Sequence, residues 1–163
     1  MKIPKKLNLA HLPTPLEKTN YKGKHFVMKR DDYTGSDFLG NKIRKLEYLL
    51  YEAKKEKAEI IFTCGGEQSN HARATASAAA KLGFKTKLFL WGRESKYSDG
   101  NLFLNNMYGS EIIYLNKKQY SIVDEIMTEE RTKLVKKGKR VYVIPAGGSS
   151  TLGMWGYISF IDE

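Results

Sequence analysis

The sequence predicts an α/β protein built on an open, twisted parallel sheet with helices on both faces. Four short strand-like segments begin near residues 59, 86, 111 and 141. Each gap between them holds one helix-patterned stretch, which is the βαβ repeat of a parallel sheet. Right-handed crossovers then cover both faces. A composition of 41% hydrophobic and 28% charged residues over 163 residues is that of a folded domain with one sizeable core.

The elements follow in order. Residues 1–24 contain Pro4, Pro13 and Pro15, few apolar residues and no period, and read as an extended N-terminal arm. A short strand is expected over 25–29 and a polar loop over 31–40. Ile43, Leu46, Leu50 and Ala53 recur at helical spacing and mark the buried face of a helix. A strand over 59–63 and an alanine-rich helix over 69–82, closed by Gly83, come next. Then follow a strand over 86–91, a short helix over 101–108 stopped by Gly109, a strand over 111–115 and a single helix over 119–137. The strand over 141–144 runs into Pro145-Ala146-Gly147-Gly148-Ser149-Ser150 and a new helix. That helix carries Trp155, Tyr157, Ile158, Phe160 and Ile161, an apolar face with little to meet in the preceding chain. It is expected to dock on another chain or on the remainder of a longer polypeptide.

Composition narrows the function classes. The apolar stretches, such as 88–91, run only a few residues, far short of the ~20 a spanning helix needs. Lys2, Lys5 and Lys6 lead into a mixed segment rather than a signal core. A soluble, cytoplasmic protein with no membrane partner is expected. The single cysteine, Cys64, excludes an internal disulfide or a Cys-x-x-Cys site. The scattered His11, His25 and His71 make no metal cluster. A net charge of +10 invites a nucleic-acid reading. Most cations, however, are lysines, and many lie in mixed runs such as 54–57 and 133–140, the pattern of solvated helix faces. A basic nucleic-acid-binding module is therefore a remote alternative, and no nucleic-acid partner is expected. A generic nucleotide binder lacks its phosphate-binding fingerprint.

Ligands of parallel sheets bind where strands hand over to helices. Three handovers stand out. In Thr63-Cys64-Gly65-Gly66-Glu67-Gln68-Ser69-Asn70-His71, two glycines permit a tight turn. Ser69 reads as the N-cap that leaves following amides free for an anion. In Gly40-Asn41-Lys42-Ile43-Arg44-Lys45, Asn41 reads as an N-cap and places Lys42 in the first turn. There the helix dipole eases loss of the ammonium proton, as Schiff-base chemistry requires. Lys45 shares its face. Read alone, both lysines are more readily ordinary surface lysines, and Ser69 is equally well an ordinary cap. The third, Gly147-Gly148-Ser149-Ser150, is an anion nest or a hinge.

Five segments occur in one order: Leu12-Pro13-Thr14-Pro15-Leu16-Glu17, Met28-Lys29-Arg30-Asp31-Asp32, Gly40-Asn41-Lys42-Ile43-Arg44-Lys45-Leu46-Glu47-Tyr48, Gln68-Ser69-Asn70-His71 and Ile144-Pro145-Ala146-Gly147-Gly148-Ser149. Together they resemble the D-cysteine desulfhydrase and 1-aminocyclopropane-1-carboxylate deaminase family, pyridoxal-phosphate enzymes of the tryptophan-synthase-β fold. The resemblance implies that Lys42 holds the cofactor and shuttles the substrate α-proton. It implies that Asn70 bonds the phenolic oxygen of the cofactor and that Lys45 lies near the cofactor phosphate. Ser69, with a catalytic role beside Lys42, would receive the substrate carboxylate together with Asn70, His71 and Gln68. The implied reaction is elimination or deamination of a small amino acid, and His71 leans toward the desulfhydrase side. A homodimer is implied for the full-length form.

The resemblance also implies that residues 44–148 form a small domain. Residues 1–43 and 149–163 would then belong to a large domain whose remainder follows, so that this is the N-terminal part. The alternative is a non-catalytic remnant or a partner-binding fragment. Leu39, where many relatives carry glycine, departs from the family pattern and bears on loop shape alone.

Overall fold

Strands β1 (Leu16–Tyr21) and β2 (Lys24–Lys29) form an antiparallel hairpin in the computed structural model of the chain, which describes residues 3–35, 40–94 and 97–161. The arm expected over 1–24 is therefore extended only as far as its first strand. Lys22 and Gly23, at φ 51° and 74°, make the two-residue turn with both central residues left-handed that suits a hairpin. Both faces of the ribbon are largely exposed, so it lacks the alternation that signals a half-buried strand. A 3₁₀ turn over Asp31–Tyr33 follows it. Leu39 lies outside the described residues.

Next come α1 (Lys42–Lys55), β3 (Ile60–Gly66), α2 (Asn70–Lys81), β4 (Lys85–Trp91), α3 (Gly100–Met107) and β5 (Glu111–Leu115). The expected helix over 119–137 is two helices, α4 (Lys117–Tyr120) and α5 (Val123–Lys136). Asn116 and Gln119 form a reciprocal capping box that starts the first of them early. Then follow β6 (Val141–Val143) and α6 (Thr151–Ile161). The four later strands are parallel in the order β5-β4-β3-β6, as expected of the βαβ rhythm.

Side chains alternate across the sheet with period two. Ile61 turns to one face and packs with Ile43, Leu46, Leu50, Ala74 and Ala78 from α1 and α2. Phe62 and Cys64 turn to the other face and meet Phe89, Val123 and Met127 beneath α5. Leu88 and Leu90 join Ala72, Ala76 and Leu102 under α2 and α3. Leu46 and Leu50 are fully buried, each contributing about 2 kcal/mol by transfer from water. The alanines of α2 let that helix lie close to the sheet.

The last helix does find a seat in the preceding chain. Gly156 of α6 lies so close to α1 that a Cβ there would stand 2.6 Å from the Arg44 carbonyl carbon and oxygen. Phe160 covers the Arg44 guanidinium, 5.0 Å from ring centroid to Cζ. The other side of α6, with Met154, Ile158 and Ile161, is exposed. Its apolar residues encircle the helix, so the sequence shows no single buried face.

The N-terminal arm crosses α1 and is clamped by Glu47. This almost fully buried carboxylate accepts the amides of Leu9 and Ala10 at 2.7 and 2.8 Å and pairs with Lys6 at 2.6 Å. No helix among the described residues is long and apolar enough to cross a membrane.

Candidate active site

The three handovers meet. Gly148 touches the other two, since a Cβ on it would lie 3.2 Å from Leu49 Cδ1, 3.4 Å from His71 Cε1 and 3.5 Å from Lys45 Cβ. The start of α1, the start of α2 and the exit of β6 therefore share one corner beyond the carboxyl ends of β3 and β6, where open parallel sheets bind ligands.

Lys42 is the first residue of α1 and is half-buried. Among the described residues its amine has no carboxylate partner. Asn41 does not cap the helix as expected: its dihedrals are helical and its side chain makes no cap bond. Its amide instead donates to the Tyr157 hydroxyl of α6 at 2.6 Å. Lys45 donates to the Gly147 carbonyl and the Ser149 hydroxyl at 3.1 and 3.2 Å, with its Nζ 5.5 Å from the centre of the Tyr157 ring. Burial, then the neighbouring charge of Lys42, lowers the Lys45 pKa below its ordinary value. Among the described residues neither amine is paired with a carboxylate, and each acts on the other as a like charge.

Ser69 caps α2 as expected, accepting the Ala72 amide at 3.2 Å. The amides of Asn70 and His71 have no partner among the described residues and stand at the positive end of the helix. Gly65 makes the turn possible because any Cβ there would fall 2.6 Å from Ser69 Oγ. His71 is only 3% exposed, and its Nε2 lies 3.0 Å from Thr63 Oγ1. Burial first, then the charges of Lys42 and Lys45, push its pKa down to about 4. The Pro145 carbonyl works weakly in the opposite direction without meeting hydrogen-bond geometry, so Nδ1 has no partner. At neutral pH His71 is an uncharged ring beneath the loop.

Two supporting residues were not singled out from the sequence. Asn101, in the first turn of α3, donates to Asn70 Oδ1 and to the Gln68 carbonyl, both at 2.9 Å. Its own amide donates to Gln68 Oε1 at 2.8 Å, while Asp99 Oδ1 accepts from Gln68 Nε2 at 3.1 Å. Gln68 thus braces the loop against α3, and Asn70 presents an amide nitrogen whose oxygen is already engaged. The only hint in the sequence is the turn-forming Asp99-Gly100-Asn101 before a helix. Beside this corner lies an open cleft of about 590 Å³ lined in part by Asp31, Asn41, Asn70, Arg73 and Asn101. The corner itself, with Lys42 and Lys45 near the start of α2, suits an anionic ligand with a group that an amine can attack.

A Thermotoga maritima protein, provisionally named a 1-aminocyclopropane-1-carboxylate deaminase, is 46% identical over 97% of this chain and 52% of its own length. The Arabidopsis thaliana bifunctional D-cysteine desulfhydrase/1-aminocyclopropane-1-carboxylate deaminase is 44% identical over 96% of this chain and 42% of its own. The crystal structure of an ACC deaminase homologue superposes with a TM-score of 0.88 at 35% identity, covering 98% of this chain and 50% of that one. The fold is accordingly that of the tryptophan-synthase-β-like, fold-type II enzymes. The chain spans about half the length of the curated relatives it matches. Residues 7–163 match the family described as pyridoxal-phosphate dependent enzyme, and the chain belongs to that family.

Proposed function

We propose that this chain supplies the lysine-bearing part of the active site of a pyridoxal-phosphate enzyme acting on a small amino acid. The reaction is elimination from D-cysteine to pyruvate, sulfide and ammonia, or deamination of 1-aminocyclopropane-1-carboxylate to 2-oxobutanoate and ammonia, each with uptake of water. The observation that carries this reading is Lys42, without a carboxylate partner among the described residues, at one corner with Lys45 and the start of α2.

The residues present fit the cofactor. It is an anionic aldehyde, and the corner offers a surplus of cations, an amine and an anion-accepting helix terminus. When bound, the cofactor supplies an electron sink for a carbanion. Lys42 would hold it through the amine and, with D-cysteine, move the proton at the substrate α-carbon; 1-aminocyclopropane-1-carboxylate carries no proton there. Lys45, held by Gly147 and Ser149, would face the cofactor phosphate, and the Asn70 side-chain amide would donate to its phenolic oxygen. The Ser69 hydroxyl with the Asn70 and His71 amides would take the substrate carboxylate, with Gln68 bracing that loop against α3. The names of the relatives support both substrates, and His71 at the loop favours D-cysteine.

In this reading residues 44–148 form the small domain, and the arm and α6, which meet on α1, belong to the large one. The whole protein would be a cytoplasmic homodimer without a nucleic-acid partner, a reading supported by the family resemblance and by the dispersed lysines. The test is release of 2-oxo acid from each substrate by the pyridoxal-phosphate-loaded protein. Lys42→Ala should lower it at least roughly a hundredfold, the scale of a lost proton-transfer group. Unchanged release would remove Lys42 from the chemistry.

A further inference from the structure

Lys42 has no side-chain anchor of its own among the described residues, so its position comes from the backbone before and after it. Two residues upstream, Gly40 is tied into a buried knot centred on Thr34. Thr34 is fully buried. Its hydroxyl accepts the Gly40 amide at 3.1 Å and lies within donating distance of the Asp31 and Gly40 carbonyls, at 3.0 and 3.1 Å. Its own carbonyl accepts the His11 amide of the arm at 2.8 Å. One residue thus joins the arm through its carbonyl, and Asp31 to Gly40 through its hydroxyl.

Asp31 fastens the same knot to α1. Its carbonyl also accepts the Gly40 amide at 3.1 Å. Its carboxylate takes a two-pronged grip from Arg44, Nε to Oδ2 at 2.9 Å and Nη2 to Oδ1 at 2.8 Å, and accepts the Thr14 hydroxyl at 2.9 Å. Thr34 and Gly40 both belong to the knot, and α1 begins at Lys42. Gly40 adopts φ +100°, a left-handed value natural only to glycine, with open space where a Cβ would go. A hydroxyl spent on the two ends of one loop does nothing for the sheet or for the main cores. Its effect falls on the residues that deliver Lys42.

We propose that Thr34 is a positioning residue for Lys42: its buried hydroxyl ties Asp31 to Gly40 and so sets where α1 presents the lysine amine. The proposal rests on the reading of Lys42 as the cofactor-holding lysine. The effect of a missing knot is misplacement of an amine, not loss of the fold, and small misplacements of reacting groups are costly.

The test compares the protein with its Thr34→Val and Thr34→Ser variants. Each is incubated with pyridoxal phosphate and trapped with borohydride over a range of pH. The ratio of adduct on Lys42 to adduct on Lys81, an exposed-end lysine of α2, is then read by peptide mapping. Thr34→Val should lower that ratio roughly tenfold and move the pH at which labelling of Lys42 is half-maximal, on the scale expected for lost pre-organisation. Thr34→Ser, which keeps the hydroxyl, should restore both to within about twofold of the starting protein, because the knot needs only the oxygen. A valine variant that labels Lys42 like the starting protein would overturn the proposal, as would a serine variant as impaired as valine. If the valine variant does not fold, Gly40→Ala strains the same knot from its other end and carries the same expectation and the same refutation. Absence of Lys42 labelling in the unaltered protein is a different outcome, and it removes the reading of Lys42 itself.

Discussion

His71 Nε2 stands 3.0 Å from Thr63 Oγ1, and the pair seals the floor beneath the loop that opens α2. The Thr63 hydroxyl can donate or accept, so it satisfies Nε2 in either neutral tautomer. The charged form adds a second ring N–H, at Nδ1, for which no hydrogen-bond acceptor stands among the described residues, and it would face the charges of Lys42 and Lys45.

That arrangement predicts an acid sensitivity. The folded pKa of His71 is about 4 against an ordinary 6.5. Above pH 6.5 the ring is neutral in both states and costs nothing. As pH falls from 6.5 toward 4 the unfolded chain takes up a proton that the folded chain refuses, and stability declines by about 3 kcal/mol in all. Urea unfolding across that window should show the decline, and His71→Gln should flatten most of it.

Glu47 is the clamp of the arm, and its two oxygens do separable work. Glu47→Gln keeps an acceptor for the Leu9 and Ala10 amides but gives up the Lys6 pair, costing about 1 kcal/mol. Glu47→Ala strands both amides and should cost about 3 kcal/mol. Denaturant midpoints would separate the two; equal losses would contradict the clamp.

Gly156 reverses an ordinary rule. Glycine to alanine inside a helix usually stabilises by about 1 kcal/mol. Here the new methyl would meet the Arg44 backbone at 2.6 Å, so Gly156→Ala should destabilise by about 1–3 kcal/mol. Thermal melts would read the sign directly.

The adjacent glycines of the α2 loop should behave differently. A methyl on Gly65 collides with Ser69 Oγ and Cβ and displaces the cap, costing at least about 1 kcal/mol. A methyl on Gly66 meets nothing within 4 Å, so Gly66→Ala should be close to neutral. Loss of ligand affinity should track Gly65→Ala alone.

The parallel sheet was legible because its strands are buried on alternate faces and its helices repeat at fixed spacing. The loop 63–71 was legible too, because a cap, two glycines and a small-residue helix signal themselves locally. What escaped was set by tertiary contacts. The β1–β2 hairpin is solvated on both faces and carries no period-two pattern. Asn41 looked like a cap, but Tyr157, 116 residues away, takes its side chain. The seat of α6 depends on Gly156, and the bracing by Asn101 and the knot at Thr34 depend on chain segments brought together only by folding. The stretch over 119–137 shows the converse case. There a local signal was present, since Asn116 and Gln119 spell a capping box three residues apart that sets the start of α4, while the break that follows lies at Ile122, at φ −120° and ψ 30°.

The most direct measurement is the location of the pyridoxal-phosphate adduct. The protein is incubated with the cofactor at near-stoichiometric ratio, reduced with borohydride, digested, and mapped by mass spectrometry. One adduct per chain on Lys42, absent from Lys42→Ala, is the result predicted by a corner that gathers an unpartnered amine, a second cation and free helix amides. Adduct spread evenly over the surface lysines, with Lys42 no more modified than the rest, would contradict it.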